Sequence, residues 1–180
     1  VIEIRSIRLG ALVAALAIVA SIAPTQISGS GGTLDVAAVQ GNTPGPFGTW
    51  RYGEILDLHL EETARISESV DLIMWPENAS DHDLFTDANA GQLVQQAAQT
   101  AQAPILAGAI LDGPHNNTAI NASVPVTPAD GPRSDFYVKQ FVVPYGEFVP
   151  FRRLLGDLVP RFDREIPRDM IQGTEPGAIH

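Results

Sequence analysis

Apolar and polar positions along this chain change period several times. Leu34 to Gln40 is a short apolar, β-branched run of the kind that forms a buried strand. From Glu54 to Ser69 the positions Ile55, Leu56, Leu60, Ala64 and Ile66 fall mostly on one side of a helix, with acidic residues between them. Asp71 to Trp75 predicts the next strand. Asp87 is placed to cap a helix in which Ala90, Leu93, Val94, Ala97, Ala98 and Ala101 recur at helical spacing. Pro104 to Ile110 and Asn117 to Val124 predict two more strands. Asp130-Gly131-Pro132 then turns the chain into a strand-like run from Phe136 to Val143, which breaks at Pro144 and Gly146. Alternating strands and helices followed by strands in succession predict an α/β sheet with helices on its outer face. There are no internal repeats.

Two stretches lie outside that alternation. Leu9 to Ala23 is almost unbroken apolar sequence, preceded by Arg5 and Arg8. As a helix it would span ~22 Å, short of the ~30 Å hydrocarbon core of a bilayer. On residues alone it reads as a signal peptide, as a short or tilted membrane helix, or as a buried core helix. Pro24 weighs against cleavage after Ala23, and Ile2, Ile4 and Ile7 extend the apolar stretch. Under either membrane reading the arginines stay cytoplasmic and the rest lies outside. Ser28 to Gly32 is a flexible Gly/Ser linker. The expected organisation is a transmembrane segment and flank over 1–27, a linker over 28–33 and one domain over 34–180.

Composition narrows the chemistry. With 180 residues, 44% of them hydrophobic, the chain is long enough for one domain with a real core. A net charge of -10 argues against nucleic acid as a partner, because phosphate contacts need cations. There is no cysteine, hence neither a disulfide framework nor a cysteine-rich metal site. His59, His82, His115 and His180 lack metal-ligand spacing and read as surface residues. Asp81, His82 and Asp83 read as a solvated loop, and the sequons at Asn78, Asn116 and Asn121 as chance patterns. The chain opens on Val1 and stops at His180, which reads as a piece of a longer protein.

Three charged residues stand out. Lys139 has Phe136, Val138 and Phe141 as neighbours, and an ammonium buried without a partner is costly. It points either at an anion or, from an edge strand, at solvent. Glu77 follows Trp75-Pro76 at the end of a strand, where α/β folds place their sites. Partial shielding by Trp75 and Pro76 would strengthen it as a base; the plain alternative is a solvated loop carboxylate. Glu147 lies in the loop that ends the Lys139 run, where on residues alone it reads as a loop glutamate facing water.

Trp75-Pro76-Glu77, then Tyr137-x-Lys139, then Pro144-Tyr145-Gly146-Glu147-Phe148-Val149-Pro150 resembles the nitrilase (carbon–nitrogen hydrolase) superfamily. Within it the pattern is most similar to the apolipoprotein N-acyltransferases, the actinobacterial kind in particular. Val36-Ala37-Ala38-Val39-Gln40-Gly41-Asn42 fits the same family, and the resemblance runs in order from Leu34 onward. It implies an α-β-β-α sandwich, here incomplete, and favours the membrane-helix reading of Leu9–Ala23. It implies Glu77 as general base toward a cysteine nucleophile, Lys139 as the cation that stabilises the oxyanion, and Glu147 as the carboxylate that orients the lysine. The family's cysteine lies beyond the segment Gln172 to Gly177, so its absence reads as truncation.

The resemblance further implies acyl transfer from a phospholipid to a diacylglyceryl lipoprotein, with no metal or diffusible cofactor. The full-length protein would be a multi-pass membrane protein with its catalytic domain outside the cytoplasm. Phe151 to Phe162, with Arg152, Arg153 and Arg161 beside Leu154, Leu155, Leu158 and Val159, is a candidate lid resting on the bilayer or an ordinary packed helix. The competing functions are an amidase or nitrilase that uses water as acceptor, and a catalytically dead, membrane-tethered binding module.

Overall fold

The structure is a computed structural model and describes residues 31–45, 49–152, 162, 166–175 and 177. Leu9–Ala23 and most of Phe151–Phe162 lie outside the described residues. Every element named here belongs to the unit Leu34–His180.

One mixed seven-stranded sheet organises this unit. Strands β1 (Val36–Ala38), β2 (Leu72–Met74) and β3 (Ile105–Asp112) run parallel to one another. β4 (Thr118–Thr127) returns antiparallel along the whole of β3, from Ile105 opposite Val126 to Asp112 opposite Ala119. Helix α1 (Glu54–Thr63) joins β1 to β2 and helix α2 (Ala88–Ala101) joins β2 to β3. Leu56 of α1, and Val94 and Ala98 of α2, close a core on Ile73, Ile105, Ala107, Val124 and Val126. The residues that pack are those that recur with the helical period on the helices and with period two on β3 and β4.

Two elements differ from the sequence expectation. The helix predicted to Ser69 ends at Thr63, where Arg65 and Ile66 take three-residue bonds to Glu62 and Thr63 that tighten the last turn. Ile66 still packs against the core although it is no longer helical. The strand predicted over Phe136–Val143 is only β6 (Tyr137–Val138), and Phe141 is exposed. The cause is the second edge of β4, which three two-residue strands occupy end to end. β5 (Gly131–Pro132) pairs Val126–Thr127, β6 pairs Ala122–Ser123, and β7 (Asp169–Met170) pairs Thr118–Ala119. Each can therefore be only a few residues long, and the chain between them leaves the sheet as loops.

Candidate active site

β2 delivers Glu77. Trp75 extends the strand pairing, donating its N–H to Leu106 at 3.0 Å, and its indole N–H reaches Thr63 Oγ1 at 2.9 Å. Pro76 then turns the chain across β3. Only glycine fits beneath that turn, because a Cβ on Gly108 would lie 2.0 Å from the Pro76 carbonyl oxygen and 2.8 Å from Glu77 Cα.

β4 and β6 deliver Asn121 and Lys139. The Lys139 N–H donates to the Asn121 carbonyl at 2.9 Å, so the two side chains arise from adjacent backbone. Glu147 comes from the loop after β6. Its N–H bonds the Val143 carbonyl at 2.8 Å, and its own carbonyl accepts from Met170 at 2.8 Å. Arg152 fixes the far end of that loop, forking onto Asp169 at 2.6 and 3.0 Å. Arg152 thus folds back onto β7.

The side chains meet in a closed ring. Lys139 Nζ donates to Glu77 Oε1 at 2.8 Å and to Glu147 Oε1 at 3.0 Å. The Asn121 amide donates to the same two oxygens, at 2.5 and 3.1 Å. Two anions alternate with two donors, and each oxygen on the ring receives both. The Glu77 hydrogen bond is the main influence that raises the Lys139 pKa; burial pulls it down and the Glu147 contact adds to the rise. Burial alone would raise the Glu147 carboxyl, but donation from Val143, Lys139 and Asn121 outweighs it and the pKa falls.

The two carboxylates are not equivalent. Glu147 is 15% exposed and its Oε2 accepts from the Val143 N–H at 2.7 Å, so both its oxygens are occupied. Glu77 is 53% exposed, against the shielding expected beside Trp75 and Pro76. Both bonds it accepts from described residues fall on Oε1, which leaves Oε2 open. The arrangement offers one carboxylate lone pair for a proton and one cation for a developing oxyanion.

The structure brings together all three singled-out residues, Glu77, Lys139 and Glu147, and adds Asn121. That asparagine is 4% exposed, although the sequence reading treated it only as part of a sequon. The available signal was an amide at a buried position of an otherwise apolar strand. Two further expectations are corrected. His59 is buried in the core at 2% exposure, not on the surface. The stretch Asp81–Asp83 is a structured junction: Asp81 accepts the Gly53 N–H at the start of α1, and Asp83 accepts from Phe85, Thr86 and Asp112. His82 pairs with Asp87, the N-cap of α2, at 2.6 Å. Among the described residues no group of three side chains is arranged to hold a metal ion.

Cavities open on the ring. One of about 190 Å³ is lined by Glu77, Asn121, Tyr137 and Lys139. Another, of about 270 Å³, reaches Glu147 past Ile55, Ile110, Ile166 and Met170. Around the Glu147 loop, Phe141, Val143, Tyr145 and Phe151 are exposed.

The mixed sheet with its helices has the fold of the carbon–nitrogen hydrolase superfamily. A solved member from Xanthomonas campestris superposes with a TM-score of 0.51 at 20% identity, over 79% of this chain and 47% of that one. No family model matches the chain. Among curated proteins, the apolipoprotein N-acyltransferase of Mycolicibacterium smegmatis is 35% identical over 95% of this chain. That of Pseudomonas paraeruginosa is 32% identical over 74% of it. Over most of its own length the chain is thus similar to apolipoprotein N-acyltransferases. It spans about a third of the first relative (32%) and 26% of the second.

Proposed function

We propose that residues 34–180 are part of the extracytoplasmic catalytic domain of an apolipoprotein N-acyltransferase, with Leu9–Ala23 as a membrane span and 28–33 as its linker. In this reading the domain is part of an α-β-β-α sandwich. The full-length protein, multi-pass in the cell membrane, supplies the cysteine from sequence outside these 180 residues. The observation that carries the reading is the ring with its one open oxygen: Glu77 holds a free lone pair while Lys139 is held beside it.

The chemistry proceeds in two halves. Glu77 Oε2 takes the thiol proton, and the thiolate adds to the ester carbonyl of a phospholipid. Lys139 stabilises the oxyanion. The C–O bond breaks, the leaving alkoxide takes the proton from Glu77, and an acyl thioester remains. The α-amine of a diacylglyceryl-cysteine then adds to that thioester. Its proton passes to Glu77 and then to the thiolate that leaves, which restores the enzyme with an amide as product. Glu147 and Asn121 hold the lysine and the base in register. The exposed aromatic residues around the Glu147 loop support access from a lipid surface.

The test gives the full-length protein a phospholipid with a labelled acyl chain. The expected result is protein-bound label that neutral hydroxylamine releases as a thioester and that a peptide with a free α-amine chases into amide. Label recovered only as free fatty acid would make the protein a hydrolase. The absence of both protein-bound label and released fatty acid would overturn the enzymatic reading.

A further inference from the structure

The proposed chemistry leaves one buried titratable group unused. His59 lies on the apolar side of α1, with its Nδ1 2.8 Å from the Ile55 carbonyl oxygen. A carbonyl only accepts, so Nδ1 carries the proton. Burial lowers the imidazole pKa, against the Ile55 hydrogen bond that works to raise it, and the ring is neutral near pH 7. Nε2 therefore presents a lone pair, and it is buried with no hydrogen-bond partner. Buried acceptors are rarely left open, because the lost hydration is not recovered.

His59 lines a cavity of about 300 Å³ that it shares with Glu77. The rest of that wall includes Gln40, Asn42, Thr43 and Asn78. The loop over His59 is fitted to it: a Cβ on Gly41 would lie 2.7 Å from the His59 backbone nitrogen and 2.8 Å from Nδ1. Among the described residues of this wall Glu77 is the only charged one, and its charge is negative. The cavity that reaches Glu147 is chiefly apolar, yet Trp50, Ile55 and Asn78 line both. The two chambers thus share part of one wall, and each reaches a carboxylate of the ring.

We propose that the chamber between His59 and Glu77 is the subsite for a primary amine, whose N–H is accepted by His59 Nε2 while its nitrogen faces the open side of Glu77. This rests on the acyl-transfer reading and assigns the acceptor's place in it. His59 acts as a positioning residue that favours an ammonium with its three charged donors over an acylated nitrogen, whose single neutral N–H is weaker, and that gives an apolar end nothing to match.

The experiment measures equilibrium binding of a peptide with a free α-amine, and of its N-acetylated counterpart, to the full-length protein. The wild type is expected to prefer the free amine by roughly 10-fold or more, as for a hydrogen bond to a charged group. His59→Phe keeps the ring volume and should lose that preference while binding the acetylated peptide equally. His59→Gln restores an acceptor oxygen and should recover part of it. Should His59→Phe fail to fold, the ¹⁵N resonance of His59 Nε2 in the wild type gives the answer, moving upfield further with the charged donor of the free-amine peptide than with the neutral amide N–H of the acetylated one. An undiminished preference in His59→Phe, or an unmoved resonance, overturns the subsite. Thioester formation at the wild-type rate beside an unchanged preference refutes the subsite alone. A lost preference with no thioester in any variant refutes the enzymatic reading and leaves the amine site standing.

Discussion

Glu77 and Glu147 share a lysine and an asparagine, yet the protein holds them in opposite ways. Glu147 gives up both carboxylate oxygens to donors and is largely buried, and its backbone is tied to Val143 and Met170. Glu77 commits one oxygen and turns the other toward open space. Two residues of the same type therefore differ in available lone pairs, which matters more to a proton transfer than the distance to the lysine. A saturated carboxylate positions its neighbours; an unsaturated one exchanges protons.

The strongest way to break the comparison is to remove the base and keep its shape. Glu77→Gln in the full-length protein is expected to slow thioester formation by roughly 10²–10⁴-fold, the range for loss of a general base. The fold should survive, because half of that side chain is exposed already. Thioester labelling at the wild-type rate would deny Glu77 the role. Next comes Lys139→Met, which removes the one cation of the ring, the donor proposed to stabilise the oxyanion. A loss of roughly 10²–10³-fold in labelling is expected, comparable with removing an oxyanion donor. Here the folding yield should also fall, since two carboxylates then face each other with only Asn121 between them.

Glu147→Gln sharpens the contrast. The amide keeps an acceptor oxygen, so the lysine retains a partner but loses a charged one. The expected cost is roughly 10- to 100-fold in labelling rate, the scale of one charge-assisted hydrogen bond. A loss as large as that of Glu77→Gln would mean that the two carboxylates are not divided into base and positioner.

The same contrast marks what was legible in the sequence. β1 to β4 and both helices announce themselves, because each buries one face and so imposes a period on its residues. β5, β6 and β7 do not, because a two-residue strand has no period and its existence depends on how β4 shares its edge. Lys139 was legible as a cation among aromatic and β-branched residues, and Glu77 as a carboxylate at a strand end. Asn121 was hidden by its neutrality, since an amide in a strand carries no charge anomaly. His59 was legible in principle: it lies three residues after Leu56 and four after Ile55, on the helix face that packs. Reading it as a surface residue put residue type ahead of register.

The smallest expected effect concerns pH. The carboxyl of Glu147 has its pKa lowered in the fold, so its stabilising contribution is complete above the unfolded value of about 4.3 and is lost as pH falls through the folded one. Lys139 has its pKa raised, so its contribution is complete below about 10.4 and is lost as pH rises through the folded value. Between those limits Glu147 and Lys139 are both charged, and the thermal midpoint of the full-length protein should be nearly flat on their account. Asp169, paired with Arg152, and Asp87, the N-cap of α2, are also lowered and lose stability in the same direction. Glu147→Gln should therefore shallow the acid limb of midpoint against pH without abolishing it, and should leave the alkaline limb to Lys139. Lys139→Met should remove the ring's alkaline limb and shallow the acid one too, because the lysine helps to hold the Glu147 pKa down. An acid limb identical in wild type and Glu147→Gln would mean that the buried carboxylate is not the tightly held partner, and the division between the two glutamates would fail at its structural end.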